Sequence, residues 1–201
     1  MGKYFNSADL AEMNLVRERI FAERTAIYQK YKIDILDTDA LSALAIYQIV
    51  NQYDPDYNIN FSRNNEDAKS KDILIEQKAT RVDGLYTKTG KPRKNAGYDA
   101  VFQFHAMGDI EHDRYIFVAR NKENLSLMRL YDIQEADNLA KVINHLINER
   151  HRWLERTKGD AKLMKRDIIA IGEKYIRENL SFPLIKTIDG CEVFIDRLLN
   201  Q

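Results

Sequence analysis

The residues of this 201-residue chain best equipped for chemistry lie in 64–80, N-N-E-D-A-K-S-K-D-I-L-I-E-Q-K-A-T. Glu76-Gln77-Lys78 sets an acid and a lysine two apart at the end of an apolar run. On a strand, side chains two apart share a face, so Glu76 and Lys78 point one way and Ile73 and Ile75 the other, into a core. If the chain reverses at Lys71-Asp72, position 67 falls opposite position 76, and Asp67, Glu76 and Lys78 converge on one edge of a hairpin. Two such carboxylates can hold Mg²⁺ through hard oxygen ligands and leave coordination sites for water and phosphate oxygens. The ion polarises a phosphoryl group and lowers the pKa of a bound water. An ammonium beside it can orient the nucleophile and offset charge building in the transition state. The set suits hydrolysis of a phosphodiester.

Spacing alone leaves alternatives open. Acid-x-Lys recurs at Asp67-Ala68-Lys69 and Asp160-Ala161-Lys162, though neither follows a strand-like apolar run. The window also describes a surface hairpin of alternating charge. Asp56, in Pro55-Asp56, is a second choice of first carboxylate; it would move the turn to about Glu66, where Asn64-Asn65 is good turn material. Asp72 lies four residues from Glu76 along one strand, about 13 Å away, and is a poor partner.

Over these residues the chain resembles the PD-(D/E)XK nuclease superfamily and, within it, the small homodimeric type II restriction endonucleases. Several of those write the first carboxylate as Asp-Ala, nine or ten residues before the Glu of Glu-x-Lys, as Asp67-Ala68 stands before Glu76 here. A weaker similarity continues downstream. Phe102-Gln103-Phe104-His105-Ala106-Met107 resembles a DNA-facing strand, and 115–120 with 125–131 resembles a later pair of core strands. The resemblance spans about residues 57–131 and is specific over 64–80. It implies Mg²⁺-dependent cleavage of double-stranded DNA at a short specific sequence, in a prokaryotic cytoplasm. It also implies Asp67 and Glu76 as metal ligands and Lys78 as the catalytic lysine. A structure-specific repair or recombination nuclease would use the same three residues; a non-catalytic DNA-binding protein would need none of them.

Charge supports a polyanionic partner once it is mapped. The 31 basic and 31 acidic side chains cancel, but residues 84–97 carry Lys88, Lys91, Arg93 and Lys94 and no acid. Lys and Arg in this Gly- and Pro-containing loop would contact phosphates. Base reading needs directional groups such as Asn95, Gln103 and His105, with Arg93 as a further candidate; for His105 a place near the core is equally open. A second basic block, 138–166, holds Arg150, Arg152, Arg156, Lys158, Lys162, Lys165 and Arg166, and also suits an ordinary helical polar face. The single cysteine, Cys191, excludes a disulfide framework and fits a reducing cytosol. No apolar stretch is long enough for a membrane span, and no secretory signal opens the chain.

The elements that must position these residues follow from periodicity. Met13, Val16, Ile20, Ile27 and Tyr31 recur at helical spacing, and 40–53 reads as a second, mostly buried helix. Short β-branched or aromatic runs follow at 57–61, 73–79, 98–105, 115–119 and 125–131. Helical spacing returns at Ala136, Leu139, Ile143, Leu146 and Leu154, and again at Met164, Ile168, Ile171 and Tyr175. The fold class is therefore α+β: one domain with a mostly meandering sheet flanked by helices, and the resemblance implies that this sheet is a mixed, restriction-endonuclease-like core. Residues 1–53 are helical and a possible dimerisation element, 54–132 form the catalytic sheet, and 133–201 are helical. Cutting both strands of a duplex is served most simply by a homodimer with two sites related by a two-fold axis.

Overall fold

The apolar periodicities fold as two helices, a run of strands, a long helix and a second run of strands. The computed structural model describes residues 7–32, 34, 38–60, 67–82, 100–121, 126–158 and 167–197, and the chain divides into two compact units, Met1–Ser42 and Ala43–Gln201. The first unit is dominated by helix α1 (Ser7–Tyr31), in which Arg24 pairs with Asp34. Helix α2 (Thr38–Val50) follows. No described helix is long and apolar enough to cross a membrane.

The second unit is an α+β structure on a mixed sheet. Its strands are β1 (Tyr57–Ile59), β2 (Ala68–Ser70), β3 (Ile73–Arg81), β5 (Arg114–Arg120), β6 (Leu127–Ile133), β8 (Leu184–Ile188) and β9 (Cys191–Ile195), in the order β1-β2-β3-β5-β6-β9-β8. The pairs β3–β5 and β6–β9 are parallel, so the sheet is less of a meander than the sequence suggests. Strand β4 (Val101–His105) leaves it to pair with β7 (Ile168–Gly172) as a separate antiparallel ribbon. On one face of the sheet Ile75, Ile116, Val118, Leu130 and Val193 pack with Ile46, Ile49 and Val50 of α2. On the other, Tyr115, Phe117, Tyr131 and Ile133 meet Phe102 and Phe104 of β4, Ile169 and Ile171 of β7, and Val142, Leu146 and Trp153 of helix α3 (Ala136–Thr157).

The C-terminal part corrects the sequence expectation: 133–201 is not helical throughout. Ile168-Ile169-Ala170-Ile171 satisfies both a helical and a strand period. Pairing with β4 decides for the strand, with Ile169 and Ile171 buried and Ile168 exposed. Only a short helix α4 (Glu173–Asn179) follows before the β8–β9 hairpin. That hairpin turns on Asp189-Gly190, with φ of 48° and 79°, the left-handed pair that a two-residue turn between antiparallel strands favours.

Polar groups inside the unit fix how these elements meet. Arg114, fully buried at the start of β5, donates to both oxygens of Asp132 on β6 at 2.7 and 2.6 Å and to Asp54 at 2.5 Å. Asp54 also accepts from Ser70 at 2.9 Å, and Asp132 from Tyr53 at 2.9 Å. Beside Asp132, Asp196 accepts from the backbone N–H of Gln134 and Glu135 at the entry to α3, where the helix dipole favours a negative charge. Glu173, fully buried, accepts from Arg129, Tyr131 and the N–H of Ala100, which ties α4 to β6 and to the entry of β4.

Burial alone would raise the Asp54 carboxyl, but the Arg114 hydrogen bond and charge outweigh it and hold Asp54 below the usual carboxylate range. A depressed carboxylate contributes stability above its unfolded value, about 3.9, and loses it as pH falls through the lower folded value. Asp132→Ala leaves the Arg114 guanidinium short of a partner in the interior and is expected to cost about 3–5 kcal/mol in urea unfolding at pH 7. A loss under about 1 kcal/mol would show that this cluster does not hold the sheet together.

Candidate active site

The hairpin is built by its turn. Lys71 takes φ 54°, and the register Ser70↔Ile73, Lys69↔Leu74, Ala68↔Ile75 places the reversal at Lys71-Asp72. Asp67 therefore comes beside Glu76. Its backbone N–H donates to Ile75 O at 3.2 Å, and its carboxylate Oδ2 accepts from the Gln77 N–H at 2.9 Å. Asp67 is thus held to β3 by main chain and side chain together. Asp56 lies elsewhere: it pairs with Lys71 at 3.3 Å, at the turn end of the hairpin. Asn60, four residues further along, is the β1 neighbour of Asp67, which puts Asp56 about 13 Å from the site.

Strand β3 lies parallel to β5 with Glu76 beside Tyr115 and Lys78 beside Phe117. This register puts Glu76 and Lys78 on the sheet face covered by the β4–β7 ribbon, while Ile75 packs on the α2 face. Lys78 Nζ hydrogen-bonds Glu76 Oε1, stands 3.6 Å from Asp67 Oδ2, and lies 5.3 Å from the centre of the Phe104 ring. One ammonium therefore leans on both carboxylates with its stem fixed against an aromatic face. Glu76 is nearly buried. Burial raises its carboxyl above the usual range, Lys78 pulls it down less strongly, and Asp67 adds to the rise. A cation beside Glu76 would relieve that strain on the ionised form.

Glu76 and Lys78 open onto a cleft of about 560 Å³, lined also by Gln103, Phe104, His105, Gly108, Asp109, His112 and Ile168. Gln103 and His105 project from the exposed face of β4 into its mouth. His105 is exposed rather than near the core, with Nδ1 4.0 Å from Asp167. The loop residues Lys88, Lys91, Arg93, Lys94 and Asn95 lie outside the described residues, as do Lys162, Lys165 and Arg166. Three arginines of the second basic block have partners within the protein. Arg150 donates to Gly108 O, Arg152 pairs with Glu149 at 2.7 Å, and Arg156 donates to Arg152 O at 3.2 Å.

Sequence reasoning misses His112 and Asp109. They belong to the turn between β4 and β5, and only the parallel β3–β5 pairing carries that turn to Glu76. The sole local signal is the polar run Gly108-Asp109-Ile110-Glu111-His112-Asp113. His112 Nε2 is 3.8 Å from Glu76 Oε2, beyond hydrogen-bond range, and is buried with no partner among the described residues. An unsatisfied buried polar group of this kind costs about 1–3 kcal/mol.

Among the described residues no group of three or more His, Cys, Asp or Glu side chains is arranged to hold a metal. Mg²⁺ asks for less: one or two carboxylates suffice when waters and substrate oxygens complete the shell. Asp67 and Glu76 fit that requirement, as adjacent hard-oxygen donors, one of them buried at a cost that a cation would offset.

Because the Glu76 carboxyl is raised on folding, its contribution to stability is full below the unfolded value, about 4.3, and is lost as pH rises through the folded one. Glu76→Gln should therefore gain stability relative to wild type as pH is raised from 4 to 8 in metal-free urea unfolding. A difference that stays constant or shrinks over that range would remove the buried-charge account of this residue. No protein-family model matches the chain, and no curated protein is significantly similar to it.

Proposed function

We propose that the protein is a Mg²⁺-dependent endonuclease that hydrolyses phosphodiester bonds of double-stranded DNA at a short specific sequence, on a restriction-endonuclease-like core. The observation that carries this reading is the convergence of Asp67 and Glu76 on Lys78 Nζ at the edge of a cleft. Bound between the two carboxylates, Mg²⁺ would supply Lewis-acid polarisation of the phosphoryl group and a more acidic water. The protein's own part is to hold that geometry. Asp67 is fixed by Gln77 N–H, Glu76 by its buried position beside Tyr115, and Lys78 by Phe104. With a cation on the carboxylates, the ammonium is available to orient the attacking water and to stabilise charge on the phosphoryl oxygens.

The β4–β7 ribbon gives the reading its DNA-facing element. Gln103 and His105 stand on its exposed face beside the cleft, with Ile168 paired across from His105. Two-stranded ribbons fit the major groove, where Gln can bond adenine N6 and N7 and an aliphatic side chain can meet the thymine methyl. Lys88, Lys91, Arg93 and Lys94 would add phosphate contacts and Asn95 a base contact. A homodimer would bring two such sites to the two strands. The exposed Met13, Val16 and Ile20 of α1, at helical spacing, make the N-terminal helices its natural contact.

Plasmid incubated with Mg²⁺ should yield discrete fragments with wild type. Asp67→Ala, Glu76→Ala and Lys78→Ala should each lose at least about 100-fold in rate, while Asp56→Ala should cleave normally. Cleavage by Asp67→Ala at the wild-type rate, with loss in Asp56→Ala, would overturn the choice of first carboxylate. Undiminished cleavage by all three variants would overturn the site.

A further inference from the structure

We propose that His112 is a catalytic residue whose Nε2–H donates a hydrogen bond to a non-bridging oxygen of the phosphodiester bound beside Glu76. The proposal rests on the nuclease reading and adds to it a group outside the acid-x-Lys set. The His112 side chain is only 8% exposed and lines the cleft, and its Nε2, 3.8 Å from Glu76 Oε2, has no hydrogen-bond partner among the described residues. Other buried side-chain atoms also lack a hydrogen bond, but among them His112 Nε2 is the one whose residue lines the cleft, where a ligand could supply the missing acceptor.

The imidazole has an aromatic neighbour, and the turn that carries it is anchored. Its ring packs edge-on against Tyr115, with centroids 5.5 Å apart. The turn that carries it is tied down from several elements. Gly108 N–H bonds His105 O, and Arg150 of α3 donates to Gly108 O. Tyr115 donates to Ile110 O, and Asp113 accepts the Leu74 N–H of β3 at 3.3 Å. The anchored turn places His112 at the cleft wall before any ligand arrives.

The missing partner is an acceptor that can also stand beside Glu76. Oε1 of Glu76 is taken by Lys78, and Oε2 faces His112 Nε2 at 3.8 Å. A carboxylate oxygen there repels a lone pair and favours the tautomer with its N–H on Nε2. An atom bridging the two positions must accept from nitrogen and share a cation with the carboxylate. A phosphate oxygen does both. Lys78 and His112 then flank Glu76, one toward Asp67 and one toward the β4–β5 turn.

The test has two arms. In the first, the full chain carrying ¹⁵N-histidine is titrated in Mg²⁺ with dimethyl phosphate, against sodium chloride in the same Mg²⁺ at equal ionic strength. The imidazole signal absent from His112→Gln should shift saturably with dimethyl phosphate and not with sodium chloride. A shift confined to the other three histidines, or none, overturns the proposal. In the second arm, on plasmid that wild type cleaves, His112→Ala should lower the rate at saturating DNA by about 100-fold with little change in KM. His112→Gln, whose amide can donate, should recover part of it. Wild-type turnover in His112→Ala overturns the catalytic role. If wild type cleaves no DNA, the nuclease reading fails by itself, and the first arm still decides whether His112 binds a phosphodiester.

Discussion

A fully buried guanidinium holds this fold in register. Arg114 opens β5 beside Ile75 of β3, and its two carboxylate partners reach it from β6 and from the segment after α2. Removing either carboxylate leaves charge in an apolar interior, so the strands cannot slide without breaking the cluster. Register is what the site needs, because a slip of one residue turns Glu76 and Lys78 to the opposite face. With Arg114 fixed, Glu76 falls beside Tyr115 and Lys78 beside Phe117, on the face where the β4–β7 ribbon leaves a cleft. The loop entering β5 is fixed by the same contact, and it brings Asp109 and His112 to the cleft wall.

The site runs against the stability of the structure that carries it. Glu76 is desolvated with only partial compensation from Lys78, and His112 leaves a buried nitrogen without a partner. Arg114 and Glu173 differ, since each has several hydrogen-bond partners, and Glu173 is held below the usual carboxylate range despite its burial. A desolvated carboxylate and an imidazole nitrogen without a hydrogen bond on the wall of one cleft suit a charged ligand. A cation on the carboxylates and a phosphate oxygen against His112 would answer both deficits.

How much of this is written in the sequence depends on the range of the interaction. The hairpin is local. Asp67 and Glu76 stand symmetrically about Lys71-Asp72, so the spacing alone brings them together. The class, α+β with helices before and after strands, follows from periodicity. Strand β7 does not, because Ile168 to Ile171 fits two periods and only its pairing with β4 chooses. The β8–β9 hairpin does carry a signal, Asp189-Gly190 between two short apolar runs. His112 is the least legible. Its role depends on a parallel pairing between strands separated by β4, and no spacing near it points to Glu76.

The central claim is that Asp67 and Glu76 together hold a divalent cation. Anomalous diffraction from a crystal of the full chain soaked in Mn²⁺ tests it most directly. The account predicts an anomalous peak within about 2.5 Å of a carboxylate oxygen of Asp67 and of Glu76, and its loss in Asp67→Asn. A well-ordered site with no peak there, or a peak that persists unchanged in Asp67→Asn, would contradict it.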